Sequence, residues 1–266
     1  MSTRPDLSIV FPAYDEAARL EPTLREAAAF VRESGLTAEL IVVDDGSRDR
    51  TGALVLRLAG EIEGLRLIRL AANRGKGHAV RTGVVNAVGA RILFADADGA
   101  TPMAELRRLG AALDAGADMA IGSRERPSAD TRVRARLHRR VIGRAFHLLV
   151  RALTVRGFAD TQCGFKLFTA RAAHDLFSRM RMDGFSFDVE LLLMARLRGY
   201  RVAEVPVNWT HVPGSRVNLV LDSARMAADL FAIRGRALRG DYDVPHLAPM
   251  EGPEPAGAFP VAAAAG

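Results

Sequence analysis

Short apolar segments alternate with helical segments along the first half of the chain, and this alternation limits the fold more than any other feature. Buried strands are predicted at Leu7–Phe11, Glu39–Asp44, Leu65–Leu70, Arg91–Ala95 and Asp118–Gly122. Helices are predicted between them, at about 22–35, 49–60, 77–88 and 102–115. Strands that alternate with helices of this length are typical of βαβ units. The sequence therefore predicts an α/β fold with a mostly parallel sheet.

A polar cluster follows each of these strands. The clusters are PAYDE (12–16), DDGSRD (44–49), NRGKG (73–77), DADG (96–99) and SRER (123–126). A single loop of Asp, Asn and Gly residues is ordinary turn chemistry. In an open parallel sheet, however, the carboxyl ends of the strands lie at one edge, and ligands bind there. Polar clusters after every strand therefore predict one ligand site along that edge.

Three common phosphate and metal sites are excluded by their spacing. The turn FPAYDEAARL after the first strand lacks the GxGxxG pattern, and RGKGH (74–78) lacks the spacing of a P-loop. The segment DADGATPMAE fails as an EF-hand loop, because Ala100 and Thr101 stand where a ligand and a glycine are needed. Asp96 and Asp98 therefore form either a turn before the next helix or ligands in another kind of metal site.

The chain carries a formal net charge of +6, which favours an anionic partner. Ten arginines and two acidic residues lie between Arg124 and Arg156. Within this region, residues 132–153 are predicted to form a basic amphipathic helix, either on an anionic membrane surface or packed against the core. Further helices are predicted near 170–177, 185–199 and 217–239, with a strand near 202–207.

The remaining composition bounds the location and the domain organisation. The single cysteine, Cys163, excludes an internal disulfide and a cysteine-based zinc cluster. The N-terminus has no signal-peptide core, and no segment reaches the about 18 apolar residues that a membrane span needs. We expect a cytoplasmic protein with one domain over residues 1–243. Residues 244–266 are rich in Pro, Gly and Ala and are expected to be disordered.

Seven motifs in order resemble family-2 glycosyltransferases with the GT-A fold. The segments VFPAYDEAARL, IVVDDGSRDRT, NRGKGHAVRTG and FADADGA match the family's landmarks, and the resemblance covers about residues 6–236. The segments DTQCGFKLF, FDVELLLMARLRGY and VPVNWTHVPGSRVN resemble the dolichyl-phosphate glucosyltransferase branch and its bacterial polyprenyl-phosphate relatives. The resemblance implies a three-layer GT-A sandwich, with a nucleotide-sugar half at about 6–125 and an acceptor half at about 126–240.

The resemblance also assigns the donor site. The residues implied to bind the nucleotide are Pro12, Ala13, Tyr14, Glu16, Asp44, Gly75, Lys76 and Asp96. Asp15 stands where the family usually has Asn. Asp96 and Asp98 are implied to hold Mg²⁺ or Mn²⁺, and residues i and i+2 of an extended segment point the same way. Carboxylate oxygens suit such a cation, which keeps positions open for water and for substrate phosphate.

The acceptor decides what the enzyme must supply. A lipid monophosphate is already an anion and can attack the anomeric carbon with inversion, so it needs cationic placement. The candidates for binding its phosphate are Ser123, Arg124, Arg140, Ser215 and Arg216. A hydroxyl acceptor would instead need a general base. Asp160, Asp188 and Glu190 are the available carboxylates, and Asp188 and Glu190 are assigned a supporting catalytic role at the sugar.

The expected activity is therefore metal-dependent transfer of a hexose, glucose from UDP-glucose, to a polyprenyl or dolichyl phosphate at the cytoplasmic membrane face. The implied partners are a nucleotide-sugar donor, the lipid phosphate, a peripheral membrane surface and a membrane protein. The alternatives are another donor, GDP-mannose or a UDP-N-acetylhexosamine, and a soluble enzyme with a hydroxyl acceptor. A non-catalytic binder of nucleic acid or anionic membrane would leave the ordered acidic motifs unexplained, so no nucleic-acid partner is expected.

Overall fold

The computed structural model describes residues 4–126, 128–134, 155, 157–213 and 219–242. Its centre is a seven-stranded sheet in the order β3-β2-β1-β4-β7-β5-β8. These strands are β1 (Leu7–Ala13), β2 (Ala38–Asp44), β3 (Leu65–Arg69), β4 (Arg91–Ala95), β5 (Met119–Ser123), β7 (Phe165–Thr169) and β8 (Val202–Pro206). The two-residue strands β6 (Val133–Arg134) and β9 (Trp209–Thr210) pair separately. The predicted α/β fold with a mostly parallel sheet is confirmed.

Helices cover both faces of the sheet. They are α1 (Leu20–Ser34), α2 (Thr51–Ala59), α3 (Lys76–Val85), α4 (Leu106–Asp114), α5 (Ala170–Arg179), α6 (Phe187–Leu197) and α7 (Leu219–Leu238). Alternate residues of each strand point to opposite faces. Leu7, Ile9 and Phe11 of β1 accordingly belong to the core that includes α1, α2 and α4. Val10 belongs to the core that includes α3, α5, α6 and α7. The result is the three-layer arrangement that the motifs imply.

The strand β7 is the main departure from the expected architecture. It runs antiparallel between β4 and β5, whereas β1, β2, β3 and β4 form parallel pairs. The motif DTQCGFKLF contains this strand, yet the sequence pattern assigns no element to it. A buried strand that carries a lysine, Lys166, breaks the apolar pattern by which buried strands are recognised.

In the second half of the chain one predicted helix differs from the structure, and several segments lie outside the described residues. The helix predicted from residue 132 is wrong at its start, because Val133–Arg134 form β6 and pair with Trp209–Thr210. The rest of that segment, 135–153, lies outside the described residues, and so do residues 244–266. The helix predicted at 217–239 is confirmed as α7. Among the described helices, none combines the length and the apolar character that crossing a membrane requires.

Candidate active site

A cavity of about 680 Å³ opens at the carboxyl ends of β1, β2, β3 and β4, at the edge where the sequence predicts a site. It is lined by Pro12, Ala13, Tyr14, Glu16, Arg19, Asp45, Asn73, Arg74, Gly75, Lys76, Ala79, Asp96, Ala97, Asp98, Gly184, Phe185, Arg225, Met226 and Asp229. Four of the five predicted polar clusters therefore meet here. The cluster at 123–126 does not, because β7 lies between β4 and β5 and moves the end of β5 away from the others.

The first two loops are held together by Asp15. This residue has φ of 53°, a left-handed conformation that Asn and Asp tolerate better than most residues. Its Oδ1 accepts the N–H groups of Arg48 and Asp49 at 2.8 and 3.2 Å, and its own N–H donates to Ser47 Oγ at 2.9 Å. Aspartate can therefore replace the family's usual Asn here, since the turn needs only an acceptor and a tolerated φ.

Glu16 reaches the cavity as part of an ion pair with Arg19. The guanidinium donates to both carboxylate oxygens at 2.8 and 2.5 Å. Arg19 also donates to the Pro213 carbonyl oxygen at 3.0 Å, which ties the first loop to the acceptor side of the chain. The sequence analysis missed Arg19, although its i, i+3 spacing from Glu16 is a recognisable signal for such a pair.

Asp45, rather than the predicted Asp44, lines the cavity. Asp44 is fully buried, its Oδ1 accepts the Ser47 N–H at 2.8 Å, and its Oδ2 lies 3.3 Å from Arg69 Nε. The two oxygens of Asp45 accept the N–H groups of Arg74 and Gly75 at 2.9 and 2.8 Å. Because successive residues of an extended chain point to opposite sides, only one of the two aspartates can face the cavity.

Gly75 and Lys76 begin α3 at the cavity wall, as the sequence predicts for the nucleotide site. Gly75 has φ of 107°, and a Cβ on it would lie 2.5 Å from the Asp183 carbonyl oxygen, so glycine is required. Lys76 Nζ lies 2.7 Å from Asp96 Oδ1. Burial lowers the pKa of Lys76, but the carboxylates of Asp96 and Asp188 outweigh that effect and raise it overall. Lys76 is therefore a fixed cation in the cavity.

Asp96 and Asp98 both line the cavity directly after β4. Burial raises the pKa of Asp98, and the negative charge of Asp96 raises it further. Two carboxylates that repel each other in a partly buried cavity suit a bound cation. No group of three or more His, Cys, Asp or Glu residues that could hold a metal occurs within the described ranges. The pair fits a cation whose remaining ligands come from water and from a substrate.

Gly164 lies directly against Asp96. The Asp96 N–H donates to the Gly164 carbonyl oxygen at 2.8 Å. A Cβ built on Gly164 would lie 2.0 Å from Asp96 Oδ2 and 2.1 Å from its Cγ, far inside van der Waals contact. The motif DTQCGFKLF therefore supports the DADG loop from the neighbouring strand, through a glycine that leaves room for the carboxylate.

Two of the five predicted acceptor residues, Ser123 and Arg124, lie in the described part of the chain, and neither is at the cavity. Ser123 is buried and its Oγ accepts the Arg126 N–H at 3.0 Å. Arg124 binds both oxygens of Asp160 at 2.6 and 2.8 Å and lies 5.5 Å from the ring centroid of Trp209. Neither Ser123 nor Arg124 lines the cavity. The other three candidates, Arg140, Ser215 and Arg216, lie outside the described residues.

Asp188 and Glu190, which the resemblance assigns to the sugar, also lie outside the cavity lining. Asp188 is buried and pairs with Lys166, with 2.7 Å between Nζ and Oδ1. Glu190 is fully buried, and its Oε2 accepts the N–H groups of Arg181 and Met182 at 2.9 and 2.8 Å. Both carboxylates belong to the first turn of α6, as predicted, but that turn faces the core.

The acceptor half contributes cavity residues that the sequence analysis missed. Gly184 and Phe185 come from the loop before α6, and Arg225, Met226 and Asp229 come from α7. Asp229 makes no hydrogen bond or ion pair with any described residue, whereas the other cavity carboxylates are engaged. The i, i+4 spacing of Arg225 and Asp229 was the available signal, but it cannot show which helix face meets the cavity.

The ion pair between Arg124 and Asp160 makes the free energy of unfolding depend on pH. Burial alone would raise the pKa of Asp160, but Arg124 lowers it to about 2, against about 3.9 in an unfolded chain. The stabilisation is therefore complete above about pH 4 and is lost as the pH falls through about 2, amounting to about 2 kcal/mol at pH 7. We expect Asp160→Asn to unfold at lower urea concentration than the wild type at pH 7, with a smaller difference at pH 3.

Urea denaturation at the two pH values measures this effect. Asp130→Asn is the control, because Asp130 is exposed and its side chain makes no hydrogen bond or ion pair with any described residue. An unfolding free-energy difference for Asp160→Asn that stays constant between pH 7 and pH 3 would contradict the assignment.

Comparison with known proteins agrees with this geometry. The model of the family described as "Glycosyl transferase family 2" matches residues 8–177. Dolichyl-phosphate beta-glucosyltransferase of Drosophila melanogaster is 38% identical, over 92% of this chain and 79% of its own length. The enzyme of the same name from Homo sapiens is 38% identical, over 89% of this chain and 77% of its own length. Most of the chain, including the acceptor half, is therefore shared with these relatives.

Solved structures share the fold. Glucosyl-3-phosphoglycerate synthase from Mycobacterium tuberculosis, crystallised with UDP, superposes with a TM-score of 0.67 at 21% identity, covering 87% of this chain and 80% of that one. Mannosyl-3-phosphoglycerate synthase from Rubrobacter xylanophilus superposes with a TM-score of 0.65 at 20% identity, covering 94% of this chain and 79% of that one. At this identity the likeness shows the GT-A architecture alone.

Proposed function

Because the chain belongs to glycosyl transferase family 2 and is a glycosyltransferase, we propose that it transfers glucose from UDP-glucose to a polyprenyl or dolichyl phosphate. Curated relatives at 37–38% identity are named dolichyl-phosphate beta-glucosyltransferase, which supports the glucosyl group and the lipid phosphate of this proposal. In this proposal one domain binds both substrates: residues 6–125 hold most of the donor, and residues 126–240 hold the acceptor and close the donor cavity through Gly184, Phe185 and α7.

The proposal of a phosphate acceptor rests on one observation: the buried carboxylates of the acceptor half already have ion-pair or hydrogen-bond partners. Asp160 is paired with Arg124, and Asp188 is paired with Lys166. Glu190 accepts backbone N–H groups, and all three carboxylates are buried outside the cavity lining. A hydroxyl acceptor would need a general base. A phosphate monoester arrives as an anion, so the engagement of these groups supports an acceptor that needs no deprotonation.

The chemistry follows from the charges of the cavity. A phosphate oxygen attacks the anomeric carbon, the bond between that carbon and the UDP oxygen breaks, and UDP leaves from the opposite face with inversion. Asp45, Gly75 and the Pro12–Tyr14 segment form the nucleotide wall, and Lys76 places a positive charge beside the leaving diphosphate. Mg²⁺ or Mn²⁺ on Asp96 and Asp98, when bound, would supply Lewis-acid neutralisation of that diphosphate.

The membrane position is part of the same proposal. A polyprenyl acceptor resides in a lipid bilayer, and we place the enzyme peripherally at its cytoplasmic face. The basic segment 132–153 supports this position, together with α7, on which Phe231 and Leu238 are 61% and 73% exposed beside the exposed Arg234 and Arg239. Large apolar side chains next to arginines suit an anionic lipid surface. A membrane-protein partner would add a second anchor.

A second candidate function is favoured by one observation. Asp229 is a cavity carboxylate that has no partner among the described residues. It could act as the general base for a hydroxyl acceptor, which the three engaged carboxylates could not do without leaving their partners. The two functions share the fold and the donor and differ only in the group that attacks.

The deciding experiment compares two acceptors that differ in one group. The purified protein is incubated with labelled UDP-glucose, Mg²⁺ or Mn²⁺, and either a polyprenyl phosphate or the polyprenol of the same chain length. We expect glucosyl transfer to the phosphate and none above background to the polyprenol. Transfer to polyprenol at a comparable rate would support the hydroxyl alternative.

A donor panel completes the assay. Release of the nucleotide from UDP-glucose is measured beside its release from GDP-mannose and from UDP-N-acetylglucosamine, with polyprenyl phosphate and metal present. We expect the highest rate with UDP-glucose. A higher rate with GDP-mannose would replace the proposed donor, and no release with any of the three would overturn the proposed reaction.

A further inference from the structure

A fully buried lysine lies in the middle of the sheet, next to the cavity. Lys166 of β7 has no exposed surface, and its Nζ lies 2.7 Å from Asp188 Oδ1. The same ammonium group donates to the Cys163 carbonyl oxygen. Burying a charged pair costs more free energy than packing apolar side chains of similar volume. A pair of this kind in a core strand therefore calls for a reason beyond stability.

The surroundings of the pair connect it to the donor site. Lys166 lies directly opposite Phe94 in the antiparallel pairing of β7 with β4, so both side chains lie on the same face of the sheet. Asp96 follows Phe94 by two residues and continues along that strand. The ring of Phe94 also contacts the ring of Phe187, with centroids 5.7 Å apart, and Phe187 precedes Asp188 at the start of α6.

Two lysines from two different ion pairs lie near the ring of Phe94. Lys76 Nζ lies 5.3 Å from the centroid of the Phe94 ring, and Lys166 Nζ lies 5.8 Å from it. Lys76 pairs with Asp96 in the cavity, and Lys166 pairs with Asp188 beneath it. Asp188 attracts both lysines. The charges thus alternate from the core to the cavity as Lys166, Asp188, Lys76 and Asp96.

We infer that Lys166 and Asp188 are positioning residues of the donor site, which hold Lys76 beside Asp96 in the orientation that receives the nucleotide diphosphate. This inference rests on the proposed donor. Lys166 pairs with Asp188 in the core, and Asp188 attracts the Lys76 ammonium, which lies over the ring of Phe94 next to Asp96. Neither residue lines the cavity, so the proposed role is one of positioning.

The test removes the whole pair rather than one charge. Lys166→Met or Asp188→Asn alone leaves a buried unpaired charge and is expected to destabilise the fold strongly. The double variant K166M/D188N removes both charges at similar volume and is expected to fold. Calorimetric titration with UDP and Mn²⁺ is expected to give a Kd about 10- to 100-fold weaker than that of the wild type, the usual loss when an outer partner of a binding group is removed.

The matched control removes an ion pair from β4, the strand next to β7. Arg91 begins β4 and binds Asp114 at 2.6 Å, at the amino end of the strand, whereas the cavity opens at its carboxyl end. R91M/D114N is expected to change stability while leaving the Kd for UDP and the KM for UDP-glucose unchanged. K166M/D188N is expected to raise that KM by a similar factor to its loss of UDP affinity.

A crystal structure of K166M/D188N separates this inference from the proposed function. We expect Lys76 Nζ to leave its position 2.7 Å from Asp96 Oδ1. An unchanged Lys76–Asp96 pair together with unchanged UDP affinity would overturn the inference. Failure of the wild type to bind any nucleotide would instead refute the proposed donor, and the crystal structure would still report whether the pair positions Lys76.

Discussion

Substitution of Asp96 by Asn is expected to lower the rate of glycosyl transfer by about 10²–10³-fold, the usual loss when one electrostatic group is removed from a preorganised site. Asp96 interacts with three residues in and around the cavity. It pairs with Lys76, it raises the pKa of Asp98, and its backbone N–H is fixed by Gly164. An amide keeps the shape of the side chain but removes the negative charge.

The measurement is kcat and KM for UDP-glucose, with the affinity for UDP and Mn²⁺ determined in parallel by calorimetry. We expect the metal-dependent part of UDP binding to disappear in Asp96→Asn. Asp130→Asn makes the same chemical change on the exposed surface and should leave both quantities unchanged. If Asp96→Asn retains more than about a tenth of the wild-type kcat, the carboxylate is not the metal and diphosphate ligand.

Replacement of Gly164 by Ala is expected to lower the rate of transfer about as much as Asp96→Asn does. Gly164 belongs to a different motif from Asp96. The added Cβ would lie 2.0 Å from one carboxylate oxygen of Asp96 and 2.4 Å from the other. No backbone adjustment of a few tenths of an ångström resolves such overlap, so the carboxylate must leave its position. We therefore expect Gly164→Ala to reproduce the loss of Asp96→Asn, with an additional loss of stability of about 1–3 kcal/mol from overpacking.

Thermal unfolding and the transfer assay are measured together on Gly164→Ala. Gly60→Ala is the control, because a Cβ there would lie 3.4 Å from the nearest recorded atom and Gly60 has no positive φ. A double variant, G164A/D96N, should be no less active than either single variant, since both changes remove the same carboxylate. Activity of Gly164→Ala near the wild-type level would show that the loop shifts without moving Asp96.

The first half of the fold could be predicted because its elements are local. Each strand from β1 to β5 is a short apolar run that is followed by a polar cluster, and each helix between them lies within a few residues of its predicted range. The edge of the sheet that carries the site follows from the parallel pairing. The cavity at that edge is lined by Pro12–Tyr14, Glu16, Gly75, Lys76, Asp96 and Asp98.

The remaining features depend on pairings between residues distant in sequence. The position of β7 between β4 and β5 is not encoded in the local pattern of residues 165–169, and it moves Ser123 and Arg124 away from the cavity. Whether Asp44 or Asp45 faces the cavity depends on the residue at which β2 ends. Two consecutive aspartates in the sequence do not show where that is. The role of Asp188 depends on Lys166, which comes 22 positions earlier and reaches Asp188 only through the packing of α6 on the sheet.

The central position of β7 also affects the order in which this protein can form during synthesis. When residues 119–123 leave the ribosome, neither of the sheet neighbours of β5 exists yet, because β7 and β8 lie at residues 165–169 and 202–206. The strand must wait for at least 40 further residues before it can pair. Until then, β4 exposes an unpaired edge to the cell, which is a site for chaperone binding or aggregation. Residues 6–125 alone would leave that edge of β4 unpaired, so we expect them not to fold as an independent unit.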